Sequence, residues 1–183
     1  MQVGQYLISS AIFTDIAVQG QYAYVTTSDR FLRILDLANP QQPVQVGSVA
    51  IPAYGGSLVV SGRYAYIGFT NNTSGLRVVD VTNPAEPRVV TILQDTTEIS
   101  ALEIQGQQLY AAGDTRLQIY DLSANSAVPQ VIGMADLGYL GSAYGLAVAG
   151  TTIVVPHGRD GLYVMKTPVA TNSVELPLIL RSW

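Results

Sequence analysis

Residues 58–93 read LVVSGRYAYIGFTNNTSGLRVVDVTNPAEPRVVTIL, and this stretch decides the fold. An apolar run ends at Ser61-Gly62, and Tyr64-Ala65-Tyr66-Ile67 follows. A polar loop then leads to Gly75-Leu76-Arg77-Val78-Val79-Asp80-Val81, and Thr82-Asn83-Pro84 introduces a last apolar run. Short runs rich in Val, Ile, Tyr and Thr, cut by Gly and Asn-Pro, are strand signals. Four strands are expected here, A to D, at 56–61, 63–70, 75–81 and 87–93.

Outward from this unit the pattern recurs. Turn glycines stand at Gly20, Gly62, Gly106 and Gly150, spaced by 42, 44 and 44 residues. Asp36, Asp80 and Asp121 mark the third strand of successive units, and Met165 stands at that place in the fourth. A period of 40–45 residues with four strands per unit is the signature of propeller blades. Strands covered on both faces are apolar at consecutive positions rather than alternating. The expected fold is therefore all-β: a small β-propeller of about four four-stranded blades over 1–167, with repeats near 14–50, 56–93, 99–136 and 144–166. Residues 168–183 are left as a tail or rim strand. Gln2-Val3-Gly4 echoes Gln45-Val46-Gly47 of a D strand, so residues 3–10 are expected to complete the last blade and hide two sheet edges. Two alternatives stay open: 173–180 (SVELPLIL) as that strand, or a chain that is a fragment of a longer propeller.

The segments YAYVTTSDRFLRILDLANPQQPVQVGSV (22–49) and YAYIGFTNNTSGLRVVDVTNPAEPRVV (64–90) resemble the LVIVD repeat of bacterial and archaeal cell-surface proteins. The third unit lacks the Asn-Pro pair and the fourth lacks both Asp and Asn. The resemblance implies propeller blades and an extracellular or cell-surface location. It implies no reaction.

Composition narrows the field. The chain of 183 residues is 48% hydrophobic and only 12% charged, the reverse of a disordered balance. Formal charge is −4, Lys166 is the one lysine, and no basic patch interleaved with aromatics suggests nucleic acid. Cysteine is absent, which excludes disulfide and thiolate–metal frameworks. No apolar run reaches the roughly 18–20 residues of a membrane helix. The N-terminal MQVGQYLISS lacks the basic and long apolar regions of a signal peptide, so an exported protein would carry its leader elsewhere.

In a propeller the D–A and B–C loops open on one face, and loops on a rigid scaffold carry most binding. The D–A loops offer Asp15, Tyr54, Glu98 and Tyr144 near the channel mouth as candidates for a small polar ligand. The B–C loops offer an outer ring of Asp29, Asn72, Asp114, Arg116, His157, Arg159 and Asp160. Asn, Asp, Ser and Gly are also what tight turns require, so each residue has a structural reading beside the functional one. His157, the lone histidine, cannot build a multi-His metal site, and no G-x-S-x-G elbow is present. Asp36, Asp80 and Asp121 read as turn acceptors, and Tyr22/Tyr24 and Tyr64/Tyr66 as packing between blades. The expected function is a non-enzymatic binding or scaffold module, without cofactor or metal, whose partner is a protein or a small polar ligand. A propeller enzyme with carboxylates and His157 in the top channel is the alternative.

Overall fold

The structure is a computed structural model, and it describes residues 1, 3–53, 55–70, 75–94, 98–138, 141–158 and 160–167. Among the described residues all the regular elements are strands. Blade 1 is β1 (Phe13–Gln19), β2 (Tyr22–Thr27), β3 (Phe31–Asp36) and β4 (Val44–Ala50). Blade 2 is β5 (Gly55–Ser61), β6 (Tyr64–Phe69), β7 (Gly75–Asp80) and β8 (Arg88–Leu93). Blade 3 is β9 (Ala101–Gln105), β10 (Gln108–Ala112), β11 (Arg116–Asp121) and β12 (Gln130–Asp136). Blade 4 is β13 (Ala147–Ala149), β14 (Thr152–His157) and β15 (Gly161–Lys166). Each sheet is an antiparallel meander in chain order.

The first hairpin of every blade turns on its glycine. Gly20, Gly62, Gly106 and Gly150 all have φ of 59–61° and are followed by a residue at negative φ, the type II′ pattern that suits twisted strands. The third strand ends at a carboxylate that accepts a backbone N–H two residues on: Ala38 to Asp36 at 2.7 Å, Thr82 to Asp80 at 2.8 Å, Ser123 to Asp121 at 2.9 Å. Hydrogen bonds from Thr82 and Ser123 hold Asp80 and Asp121 below the usual carboxylate range. The following Asn39, Asn83 and Asn125 accept N–H bonds in the same way. Blade 3 therefore builds the same turn from Asn125 without a proline after it.

Three apolar clusters join the blades: one between blades 1 and 2, one between 2 and 3, one between 3 and 4. Tyr24, Tyr66 and Tyr110, each at the same place on the second strand, enter these three clusters in turn. The Tyr66 hydroxyl donates to the Ser126 carbonyl of the next blade at 2.9 Å. Burial pushes the Tyr66 phenol up to about 12. Gln19 and Gln105 each clasp the following blade, exchanging two hydrogen bonds with the backbone of Gly62 and Gly150 at 2.7–2.9 Å.

The expectation for ring closure is not realised. Residues 3–10 form no strand, and among the described residues β15 pairs with β14 alone. Residues 3–6 instead lie on blade 1, where Tyr6 packs against Ala23, Val25 and Leu35 and donates to Gln45. The alternative closing segment, 173–180, lies outside the described residues, as does the whole of 168–183.

Candidate functional site

The first strands of blades 1 to 3 and the segment leading into β13 converge on one pocket of about 390 Å³. Thr14 and Asp15, Gly56 and Ser57, Ser100, and Tyr144 and Gly145 line it. This is the channel mouth formed by the D–A loops. Glycine at 56 is required by closeness: a Cβ there would lie 2.9 Å from the Ile99 carbonyl oxygen of the next blade. Tyr144 is 79% exposed at the rim.

The polar groups at the mouth are partly committed to the framework. One Asp15 carboxylate oxygen accepts from the Ile16 N–H at 2.8 Å, and the other from the Leu58 N–H of blade 2 at 2.6 Å. Ser57, one unit further on, does the same for blade 3, accepting from the Leu102 N–H at 3.1 Å. The Ser100 hydroxyl donates to the Ala143 carbonyl at 2.7 Å, and Thr14 donates to the Thr26 hydroxyl at 2.9 Å. A hydroxyl carries one donor and two acceptor sites. These bonds use only part of the hydrogen-bonding capacity of Ser57, Thr14 and Ser100.

The outer ring of candidates does not converge. Asp29 is gripped by Arg33, 2.8 Å between its carboxylate and one guanidinium nitrogen, and by the Thr27 hydroxyl at 2.6 Å. The Arg33 hydrogen bond holds the Asp29 carboxyl far below the usual range, and Asp29 raises Arg33 in return. Asp114 caps its own turn through the Thr115 N–H, and Arg116 stands 4.0 Å from Asp136 at the surface. His157 is buried: its Nε2 donates to the Asp114 carbonyl at 2.7 Å, tying blade 4 to blade 3, while Nδ1 lies 3.4 Å from an Asp160 oxygen. Asp160 also approaches the Tyr163 hydroxyl at 3.5 Å. His157 is thus a buried junction residue and is not part of the channel pocket's lining. Glu98 is half-buried, and its backbone carbonyl packs against Gly113. Tyr54, Asn72 and Arg159 lie outside the described residues. Among the described residues no group of three His, Cys, Asp or Glu side chains could hold a metal ion, and no helix is long and apolar enough to cross a membrane.

Sequence reasoning singled out the acids and missed the hydroxyls. Thr14, Ser57 and Ser100 stand in the same D–A loops, and their only signal was recurrence beside the turn. It also missed Arg77. This side chain, one unit on from Arg33, is buried over the Phe69 ring at 5.4 Å, and its Nε has no hydrogen-bond partner. Burial lowers its pKa.

The model described as LVIVD repeat matches residues 13–51 and 53–95, the first two blades. Residues 13–51 and 53–95 are two LVIVD repeats. The chain's third and fourth units keep the strand order of the LVIVD blades while losing the Asn-Pro pair. None of the curated proteins matches the chain. Solved structures match by fold at low identity. The crystal structure of the computationally designed Ika4 protein is 13% identical with a TM-score of 0.70, over 92% of this chain and 99% of that one. That of the RRP9 WD40 repeats is 13% identical with a TM-score of 0.72, over 88% of this chain and 50% of that one. The computationally designed Ika8 protein is 12% identical with a TM-score of 0.67, over 90% of this chain and 49% of that one. The chain thus spans about half the length of the WD40 and Ika8 chains. These likenesses establish the β-propeller fold.

Proposed function

We propose that this LVIVD-repeat chain is a non-enzymatic binding module of the extracellular or cell-surface kind. Its ligand is a small polar molecule, or a polar loop of a partner protein, taken up at the channel mouth. The observation that carries this reading is the pocket of about 390 Å³ shared by all four blades, with hydroxyls on its wall and Tyr144 at its rim. Three hydroxyls with open hydrogen-bonding capacity supply direction, and an exposed aromatic face supplies apolar area at low entropic cost. Binding is favoured over turnover by the state of the acids. Asp15 is the one carboxylate among the described lining residues, and both its oxygens already hold backbone N–H groups. General acid–base work needs a group free to exchange a proton with substrate.

Saturation-transfer NMR against a panel of monosaccharides, polyols and amino acids tests the reading, with Tyr144→Ala and Ser57→Ala as partners. A binder lost in both variants supports it. A panel that shows no transfer to the unaltered protein, binding indifferent to both variants, or a new product accumulating in the tube would each sink it.

A further inference from the structure

Every junction between blades inside the chain is built from the same repeat positions. On the departing face the third strand supplies Leu32, Leu76 and Leu117, and two residues later Ile34, Val78 and Ile119. All six are buried against the next blade. Their counterparts in blade 4 are Leu162 and Val164, which are 60% and 48% exposed. On the arriving face Leu58 and Leu102 are buried and Leu146 packs on the cluster of blades 3 and 4. Their counterpart in blade 1 is Ile16, 59% exposed, with Val18 beside it at 62%. Blade 4 thus ends in an uncovered departing face, and blade 1 begins with an uncovered arriving face. The three internal junctions show that each face is the complement of the other.

The N-terminal segment adds a second, independent sign. Gly47 of β4 lies so close to the next blade's turn that a Cβ would be 2.0 Å from the Pro84 carbonyl oxygen. Gly4 stands in the same relation to blade 1, 1.9 Å from the Pro40 carbonyl oxygen. With Tyr6 on Ala23, Val25 and Leu35, residues 3–6 occupy the place that the outer strand of a preceding blade would take. Among the described residues blade 4 is the blade that lacks such a strand, yet the two are not paired there.

We propose that two copies of this chain close a single ring of eight blades. Blade 4 of each copy packs on blade 1 of the other, and the N-terminal segment of each pairs with the other's β15. The curvature supports two copies rather than one. The four blades superpose on about half of the WD40 and Ika8 chains, as an arc of a ring of roughly twice their number would, and on nearly the whole of the designed Ika4 chain. No apolar cluster joins blades 4 and 1 among the described residues. Two such arcs related by a two-fold axis leave no uncovered blade face for further growth. The channel pocket of each copy then opens into one axial cavity bordered by both.

Sedimentation velocity of the 183-residue chain from low to high micromolar concentration is the test. The expected species is twice the 19.5 kDa chain mass. Ile16→Asp and Leu162→Asp each yield a monomer with an unchanged β circular-dichroism spectrum, whereas Val90→Asp, on the rim of blade 2, stays dimeric. Should a variant lose its β spectrum, hydrogen exchange of the unaltered chain gives the same reading: residues 3–6 and β15 gain protection as concentration rises. The proposal is overturned by a monomer throughout, by species that grow beyond the dimer, or by a dimer indifferent to both charges. It is equally overturned by a monomer that dimerises only after removal of 168–183, since that segment then fills the edge itself.

Discussion

Asp15→Ala separates a ligand residue from a structural one. Its carboxylate accepts two backbone N–H bonds, and the bond to Leu58 at 2.6 Å ties the innermost strand of blade 1 to that of blade 2. A hydrogen bond to a charged group contributes about 1.5–3 kcal/mol, and alanine leaves both N–H groups to whatever water enters the pocket. The Ile16 N–H is near the surface and rehydrates, so the loss is set mainly by the Leu58 bond, about 2 kcal/mol. At about 2–4 °C per kcal/mol for a chain of this size, the melting temperature falls by roughly 4–8 °C. The structure supplies its own control. Ser57 performs the same task one blade on, accepting from the Leu102 N–H. Asp15→Ser should therefore recover part of the loss, while Asp15→Leu should not. Calorimetry or thermal circular dichroism reads the series. An unchanged melting temperature in Asp15→Ala would refute the framework role and return Asp15 to the list of ligand groups.

Further expectations concern the junctions and the turns. Tyr66→Phe removes the bond to the Ser126 carbonyl and costs about 1 kcal/mol by urea unfolding. Because the folded Tyr66 pKa is raised to about 12, stability is unaffected below about pH 10, where both states are protonated, and declines from there toward pH 12. The Tyr66→Phe protein should show a shallower alkaline decline. Asp29→Asn tests the clamp with Arg33: the folded pKa is depressed, so the stabilisation is full above about pH 4 and fades below it. The deficit of Asp29→Asn in urea midpoint should thus be largest at neutral pH and shrink on acidification, and a deficit constant across that range would contradict the clamp. Gly113→Ala places a Cβ 1.6 Å from the Glu98 carbonyl oxygen and should cost about 2–3 kcal/mol. Gly133→Ala, whose nearest neighbour would be the Ile119 side chain at 3.4 Å, is the tolerant control in the same denaturation assay.

The blade count and strand order were legible because each blade is a local meander. Spacing of Gly20, Gly62, Gly106 and Gly150 reports hairpins that close within a few residues, and Asp36, Asp80 and Asp121 report turns satisfied two residues away. The candidate site was legible only as a face. Asp15 and Asp29 look alike in a loop sequence, and what they do is set by groups that folding brings to them: the Leu58 N–H from 43 residues away, and a guanidinium four residues on that could equally have faced solvent. His157 read as a possible acid–base group because its burial behind the Asp114 carbonyl depends on how blade 4 seats against blade 3.

What the sequence determined by itself was the repeating unit, since hairpins, Asx turns and strand composition are local physics. What only the tertiary structure decided was the fate of identical residues in different units. Leu32, Leu76, Leu117 and Leu162 occupy one repeat position, and three are fully buried while the fourth is exposed. Burial belongs to the neighbour and not to the residue, and among the described residues no blade packs on the face of blade 4 that carries Leu162.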